Sequence, residues 1–302
     1  MSVAVAPVRA VRATTAVNRQ TARSRWSRAG YNAVAVVVFL ASVFPVYWMI
    51  SSSFLPTNKV RATTPTFFPG PSDFTLRNYH TAMFDQARAQ FFPALENSLK
   101  VTLLTLVVTL ILAFLASVAI GRFLFRGRRT FIIAILVVQM IPGEAMMLTY
   151  FRLIDGAHGL NTILGLGAVY IATVLPFTIW TLRGFVTAVP KELEHAAMID
   201  GCSRSGAFWR ITFPLLAPGL VATGIFAFIQ AWNEFVFALI IMSRPEAMTL
   251  PVWLRTFQQA TRATDWGGLM AASTLVAIPI VIFFLFVQGR MTGGLVSGAV
   301  KG

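Results

Sequence analysis

The sequence predicts an all-α membrane protein with six transmembrane helices, and three observations carry that prediction. First, the 302 residues are 56% hydrophobic and only 12% charged, where a soluble domain carries about a quarter charged residues. A chain with half that share cannot cover its surface with polar groups, so lipid must surround part of it. Second, six apolar runs stand out: Tyr31–Ile50, Leu99–Ile120, Phe131–Tyr150, Leu164–Leu182, Leu220–Met242 and Leu269–Val287. Each is long enough to span, since a spanning helix needs roughly 20 mostly apolar residues at about 1.5 Å rise. None shows strand-like alternation, and helices satisfy their own backbone groups as lipid requires.

The third observation is where the basic residues fall. Arg9, Arg12, Arg19, Arg23, Arg25 and Arg28 precede the first run with no acid among them. Arg122, Arg126, Arg128 and Arg129 lie between the second and third runs. Arg183, Lys191, Arg204 and Arg210 lie between the fourth and fifth, and Arg290 and Lys301 follow the last. That puts 16 of the 25 basic residues on one side, the cytoplasmic side by the positive-inside rule, with both termini cytoplasmic. The basic start is read as a topology signal on a retained first helix, because no A-x-A-like cleavage site follows the run. It also lacks the aromatic interleaving of a nucleic-acid-binding segment, so no nucleic acid partner is expected.

Catalytic chemistry finds no foothold. The single cysteine, Cys202, excludes an internal disulfide and a cysteine-based metal cluster, and His80, His158 and His195 are scattered. There is no HExxH, no GxSxG and no GxxxxGK[ST] phosphate loop. No catalytic residue, bound metal or cofactor is expected on this chain, and any ATP must be bound by another.

The expected organisation follows from these runs. Residues 1–29 form a basic, disordered cytoplasmic tail, and 30–98 hold the first transmembrane helix and a long external segment. Residues 99–288 form a five-helix core, interrupted by a cytoplasmic loop at 183–217, and 289–302 form a cytoplasmic tail. Within the external segment, "TTPTFFPGPSDFT" reads as turns and "LRNYHTAMF" as a short surface helix.

The loop is the informative part. "PKELEHAAMIDG", Pro190 to Gly201, is a charged, alanine-centred stretch between two of the most apolar segments. Pro190 suits the first position of a helix, and Glu192 and Glu194 suit its first turn, where the dipole favours acids. Gly201 suits a left-handed terminating residue, and Ser203 suits the cap of a second short helix. Ala196 and Ala197 are small enough for another surface to approach their backbone closely. Spacing alone leaves two readings open, a docking helix for a cytoplasmic partner and an ordinary polar loop.

"ELEHAAMIDG" followed by "FWRITFPLLAP" resembles the EAA loop of bacterial ABC-importer permeases, with Ala196, Ala197, Asp200, Gly201, Ile211 and Pro214 on the pattern. "NSLKVTLLTLV", "QMIP", "GLNTILGLG", "LPFTIW", "FIQAWNEFVFAL", "TLPVWL" and the terminal "GAVKG" are similar to maltose-type carbohydrate permeases, in the right order over roughly residues 30–302. The sequence departs from the pattern at His195, which stands where the family has the Glu of E-A-A, at Cys202 in place of Ala, and at Phe213 in place of Leu. The family's acid is implicated at the ATPase contact, so that role does not pass to His195, and Glu194 one residue earlier is expected to substitute in part.

The resemblance implies a type I ABC importer permease fold in the bacterial cytoplasmic membrane. It implies an ATP-driven importer of a di- or oligosaccharide, built with a second homologous permease, two cytoplasmic ATP-binding subunits and an extracytoplasmic sugar-binding protein. ATP and Mg would sit on the partner ATPase. Glu192, Glu194, His195, Ala196, Ala197, Asp200 and Gly201 would form the ATPase-coupling helix, with Ala197 facing the ATPase groove. A permease of the same family for a glycerol phosphodiester or polyamine is the alternative, kept open by Arg244, Arg255 and Arg262 in the last external loop. A stand-alone secondary transporter would need coupling-ion sites and internal symmetry, and neither is visible.

Glu234 lies well inside the fifth run, where an ionisable group is costly and by default functional. Gln230, Asn233 and Phe237 are expected to share its helical face by spacing. These four are the expected pathway or gate residues, either touching sugar or sealing the external mouth. Glu144 is expected to face water, and Trp180, Trp232, Trp253 and Trp266 to anchor segment ends at the interface.

Overall fold

The computed structural model describes residues 17–85, 90–258 and 264–296, with side chains between 30 and 289 of those ranges. Among the described residues every regular element is helical. The helices are α1 (Val17–Ser53), α2 (Arg77–Phe84), α3 (Phe91–Arg122), α4 (Arg128–Gln139), α5 (Met147–Gly156) and α6 (Ile163–Ala188). They continue with α7 (Lys191–Ile199), α8 (Arg204–Ala207), α9 (Phe213–Asn233), α10 (Val236–Ile241), α11 (Leu250–Leu254) and α12 (Trp266–Val296). A π-helical turn, Phe208–Thr212, joins α8 to α9 without interruption.

Five helical stretches are long and apolar enough to span: Gly30–Ser53, Phe91–Arg122, Ile163–Ala188, Arg204–Asn233 and Trp266–Gly289. α4 with the segment Gly143–Gly156 meets the same criterion only as a pair, bent by 90° at the break between them, and makes a sixth span if the two count as one. The expected unbroken run Phe131–Tyr150 is therefore corrected: Pro142, which lacks a donor N–H, closes one helix before a 3₁₀ turn, Gly143–Met146, opens the next. The run Leu220–Met242 is likewise two helices, parted at Glu234 and Phe235. At the amino end, the expected disordered tail is corrected for residues 17–29, which are helical and continuous with α1; residues 1–16 lie outside the described residues. α12 runs past 288 to Val296, and the "GAVKG" motif lies outside the described residues.

α3, α6 and α9 form the centre. In their spanning windows 28%, 44% and 44% of residues are buried, against none in α1, whose flank rests on α12. α3 lies along α6 and α9, and buries a stripe of small residues, Ser98, Thr102, Thr105, Thr109, Ala113 and Ser117. Small side chains let backbones approach closely, which drives helix association where lipid is as apolar as leucine. α6 meets α3 closely at Gly167, where an added Cβ would stand 2.7 Å from Leu104 Cδ2, and meets its own preceding loop at Gly165, where a Cβ would collide with the Gly159 carbonyl oxygen. Near the outer end Phe228 stacks on Phe283 with ring centroids 3.8 Å apart. Trp232 and Trp253 are fully buried in the same cluster rather than anchoring the interface as expected, because they pack among Phe91, Leu250, Phe257 and Leu269, and Trp232 donates to the Val276 carbonyl of α12. Trp180 and Trp266 remain partly exposed.

The long external segment is folded onto the end of α1. Asn78 donates from Nδ2 to the carbonyls of Ser53 and Leu55, each at 2.8 Å, and the Tyr47 hydroxyl donates to the Phe67 carbonyl at 2.6 Å. The hydrogen bond from Lys59 holds the Asp73 carboxyl below the usual carboxylate range.

The tightness at Gly165 is testable. Its missing Cβ faces a carbonyl that the Thr162 hydroxyl also fixes, at 2.7 Å. Gly165→Ala should lower the melting temperature of the purified protein in detergent, by overpacking worth about 1–3 kcal/mol. Gly156→Ala, where a Cβ meets nothing within 4 Å, should leave it unchanged.

Candidate functional site

Two regions gather the residues singled out in the sequence, and they lie at different depths. The first is the segment between α6 and α9. Pro190 caps α7 as an extended residue, with φ −61° and ψ 137°, one position earlier than expected. Glu192 and Glu194 occupy its first turn. The helix closes in a Schellman arrangement: Gly201 takes φ +90°, its N–H donates to Met198 O at 3.1 Å, and Cys202 N–H donates to Ala197 O at 3.0 Å. Ser203 then caps α8, its hydroxyl accepting from Gly206 N–H at 3.1 Å.

This turn folds α8 and the π-helical turn beneath α7, which divides α7 into two faces. Glu194 and Ala197 point inward. Thr212, presented by the π turn and fully buried, donates to Glu194 Oε1 at 2.6 Å. Arg122, from the last turn of α3, brings Nη2 to 3.5 Å of the same oxygen. So the charged segment is tied to two of the three central helices, α3 and α9, through one carboxylate. Ala197 is only 8% exposed, which corrects the expectation that it faces a partner: it packs against its own chain. Glu194 is held inward too, so it does not take the outward place expected of a substitute acid. The outward face carries Leu193, Ala196 and Ile199, with Glu192 and Asp200 beside them, while exposed His195 lies at the edge next to Glu194 and Met198. Ile199 is 86% exposed, a large apolar side chain at the tip of a polar segment.

Sequence reasoning missed Arg122 and Thr212. Arg122 read only as one more topology charge, and no short pattern links a threonine in a π turn to a residue 18 positions earlier. The one available signal was that both lie at ends of spanning helices on the side where basic residues gather.

The second region is the break in the fifth run. Glu234 sits between α9 and α10, and its carboxylate accepts Phe237 N–H at 2.8 Å and Ala238 N–H at 3.0 Å. These are orphan donors of a helix start. Tyr170, on α6, donates its hydroxyl to the Glu234 carbonyl at 3.4 Å. The expected common face of Gln230, Asn233, Glu234 and Phe237 is therefore not formed. Gln230 and Asn233 are exposed on α9, whereas Phe237 is buried on α10. Phe237 meets Tyr150 edge-on at 5.6 Å and lies beside Gly143, so the broken third and fifth helices meet each other there. Glu144, in the 3₁₀ turn, is exposed. Arg244 and Arg255 are exposed at the external end, and Arg262 lies outside the described residues.

A multi-pass helical bundle with broken spans and a charged helix fastened to one end is the architecture of a transport component, and the comparisons with known proteins agree. Residues 110–292 match the family described as binding-protein-dependent transport system inner membrane component, and the chain belongs to that family. It is 45% identical over 280 residues, 93% of this chain and 99% of the relative, to the diacetylchitobiose uptake system permease protein DasC of Streptomyces coelicolor. It is 36% identical over 272 residues, 89% of this chain and 95% of the relative, to the trehalose/maltose transport system permease protein MalG of Thermococcus litoralis. In fold it matches a solved bacterial ABC transporter involved in the import of the acidic polysaccharide alginate, with TM-score 0.71 and 22% identity over 88% of this chain and 97% of that one. The protein is thus a multi-pass inner-membrane permease component with the type I fold, and its work is transport rather than catalysis.

The break at Glu234 carries its own test. Glu234→Ala removes both acceptors of the α10 start, and unmade backbone donors cost about 1–3 kcal/mol. The detergent melting temperature should fall in Glu234→Ala and fall less in Glu234→Gln, which keeps an acceptor. Gln230→Ala, on the exposed face, should not move it.

Proposed function

We propose that this chain is one permease of an ATP-driven importer for a di- or oligosaccharide, and that α7 is its mechanical link to the ATPase. The observation that carries the coupling role is the two-faced α7. Its inner face is fixed to α3 and the start of α9 through Glu194, while its outer face leaves Leu193, Ala196 and Ile199 uncovered. An exposed apolar patch rimmed by charges marks a protein contact. A force applied to that face is delivered to the central spanning helices without passing through a flexible linker.

The sugar class is supported by the relatives, whose names include diacetylchitobiose, trehalose and maltose. On this reading a second permease completes the pathway, and two ATP-binding subunits sit at the cytoplasmic face with ATP and Mg. An external sugar-binding protein delivers the substrate. Closure of the ATPases then moves the two permeases between inward- and outward-facing states as rigid bodies. Within α7, Glu192, His195, Ala196 and Asp200 are the groups that would meet the ATPase. Glu194, Ala197 and Gly201 would hold the helix in position.

Ala196→Glu places a charge where the ATPase must approach closely, and burying an unpaired charge costs several kcal/mol, on the order of 3–5. The variant should insert normally but lose retention of the ATPase on the solubilised complex and lose sugar uptake. His195→Glu, at the exposed edge of α7 beside Glu194 rather than on the Ala196 face, should keep ATPase retention. Wild-type ATPase retention and uptake in Ala196→Glu would remove α7 from the coupling role.

A further inference from the structure

A cavity of about 980 Å³ opens between the last turns of α3, the inner edge of α7, and α8 with its π turn. Its walls are of two kinds. On one side stands the Arg122 guanidinium, whose side chain is 7% exposed and whose Nε and Nη2 have no hydrogen-bond partner. The carboxylate oxygen nearest to Nη2, Glu194 Oε1 at 3.5 Å, already accepts the Thr212 hydroxyl. A guanidinium presents its donors as a planar fork suited to carboxylate or phosphate oxygens. Leaving buried donors unmade is costly.

Lys191, Arg204 and the imidazole of His195 also line the cavity, so with Arg122 three cations face the single carboxylate of Glu194. The other wall is apolar and aromatic. Phe123 and Trp209 are 50% and 56% exposed at its rim, and the Arg204 guanidinium lies over the Phe123 ring at 5.7 Å. Val118, one turn further up α3 toward the apolar core, also contributes to the lining. The cavity therefore sits at the level where a spanning helix leaves the lipid, on the side where basic residues gather, with interfacial aromatics at its mouth.

Cations alone would suit a free anion from the cytosol. A buried guanidinium fork beside an exposed aromatic wall at the membrane boundary suits a molecule with an anionic head and an apolar tail. We propose that this cavity binds the phosphodiester headgroup of an anionic phospholipid of the cytoplasmic leaflet. Arg122 holds the phosphate oxygens from inside, Lys191 and Arg204 close over the negative charge, and the acyl chains leave across Phe123 and Trp209. Basic pockets at the cytoplasmic ends of spanning helices hold anionic headgroups by this chemistry. Because α7 forms one wall, an occupied cavity braces the helix against the bundle, and membrane charge becomes a condition on how firmly α7 is held. None of this depends on which solute is carried.

The full-length chain in detergent is titrated with phosphatidylglycerol or phosphatidylcholine brominated near the top of the acyl chains, and tryptophan fluorescence is followed. The signal of interest is the quenching that disappears in Trp209→Phe. In the wild type this component should saturate at a lower mole fraction of phosphatidylglycerol than of phosphatidylcholine. Each neutralised cation should weaken phosphatidylglycerol binding about fivefold, so Arg204→Gln and Arg122→Gln should lose much of the preference and Arg122→Lys should keep part of it. Arg204 is exposed, so its variant carries the test if Arg122→Gln does not fold. Equal quenching by the two lipids in the wild type would overturn the proposal and leave the cavity to a carboxylate of a protein partner. A preference unchanged in Arg204→Gln would also overturn it. Displacement of phosphatidylglycerol by excess inorganic phosphate, beyond that by chloride at equal ionic strength, would assign the site to free phosphate and contradict the lipid assignment.

Discussion

The Glu194 carboxylate joins the part of this protein that lies in water to the part that lies in lipid. α7 has nine residues, and an isolated helix of that length is marginal in water because nucleation is unfavourable. It persists here because its inner face is fixed. Thr212 donates to Glu194, Arg122 approaches the same oxygen, and Ala197 is packed against α8 and the π turn. The π turn is part of the same device. A single wide turn at Phe208–Thr212 lets α8 and α9 continue as one helix while changing the direction in which Thr212 points. Remove the carboxylate and the helix keeps only the packing of Ala197 and its terminal turns to hold it.

A second constraint comes from the lipid. Backbone groups inside a bilayer must be bonded within the protein, so a broken helix is tolerated only where something else satisfies the break. The break at Glu234 meets that condition, and the bend at Pro142 packs against it. Glu234 supplies acceptors for the start of α10, and Tyr170 donates to the carbonyl at the break. Phe237 from that short helix packs on Tyr150 and beside Gly143, next to the bend in the third span. The stiff centre made by α3, α6 and α9 on their small-residue stripe thus stands beside a pair of bent elements that share one contact.

Much of this was legible in the residues. The six apolar segments, the sidedness of the arginines and the caps at Gly201 and Ser203 are local signals, and each has a local cause in hydropathy, charge or backbone conformation. What could not be read was set by tertiary contact. Apolar runs hide breaks, because a helix bent at Pro142 or interrupted at Glu234 has the same composition as a straight one. Trp232 and Trp253 sit near segment ends, where tryptophan commonly anchors the interface, yet packing among Phe91, Leu250, Phe257 and Leu269 buries them. The assignment of faces on α7 failed for the same reason. Ala196 and Ala197 are identical in sequence terms, and only the return of the chain under α7 decides which of them looks outward.

The central claim is that α7 stands outside the lipid on the cytoplasmic side, fastened to the end of the bundle. Cys202, the single cysteine, follows Gly201 and accepts no disulfide partner, and it is partly exposed. It reports on that claim without any mutation. A membrane-impermeant maleimide should fail to label it in intact cells and should label it in inverted vesicles stripped of peripheral subunits. Labelling from the outside of intact cells would contradict the account.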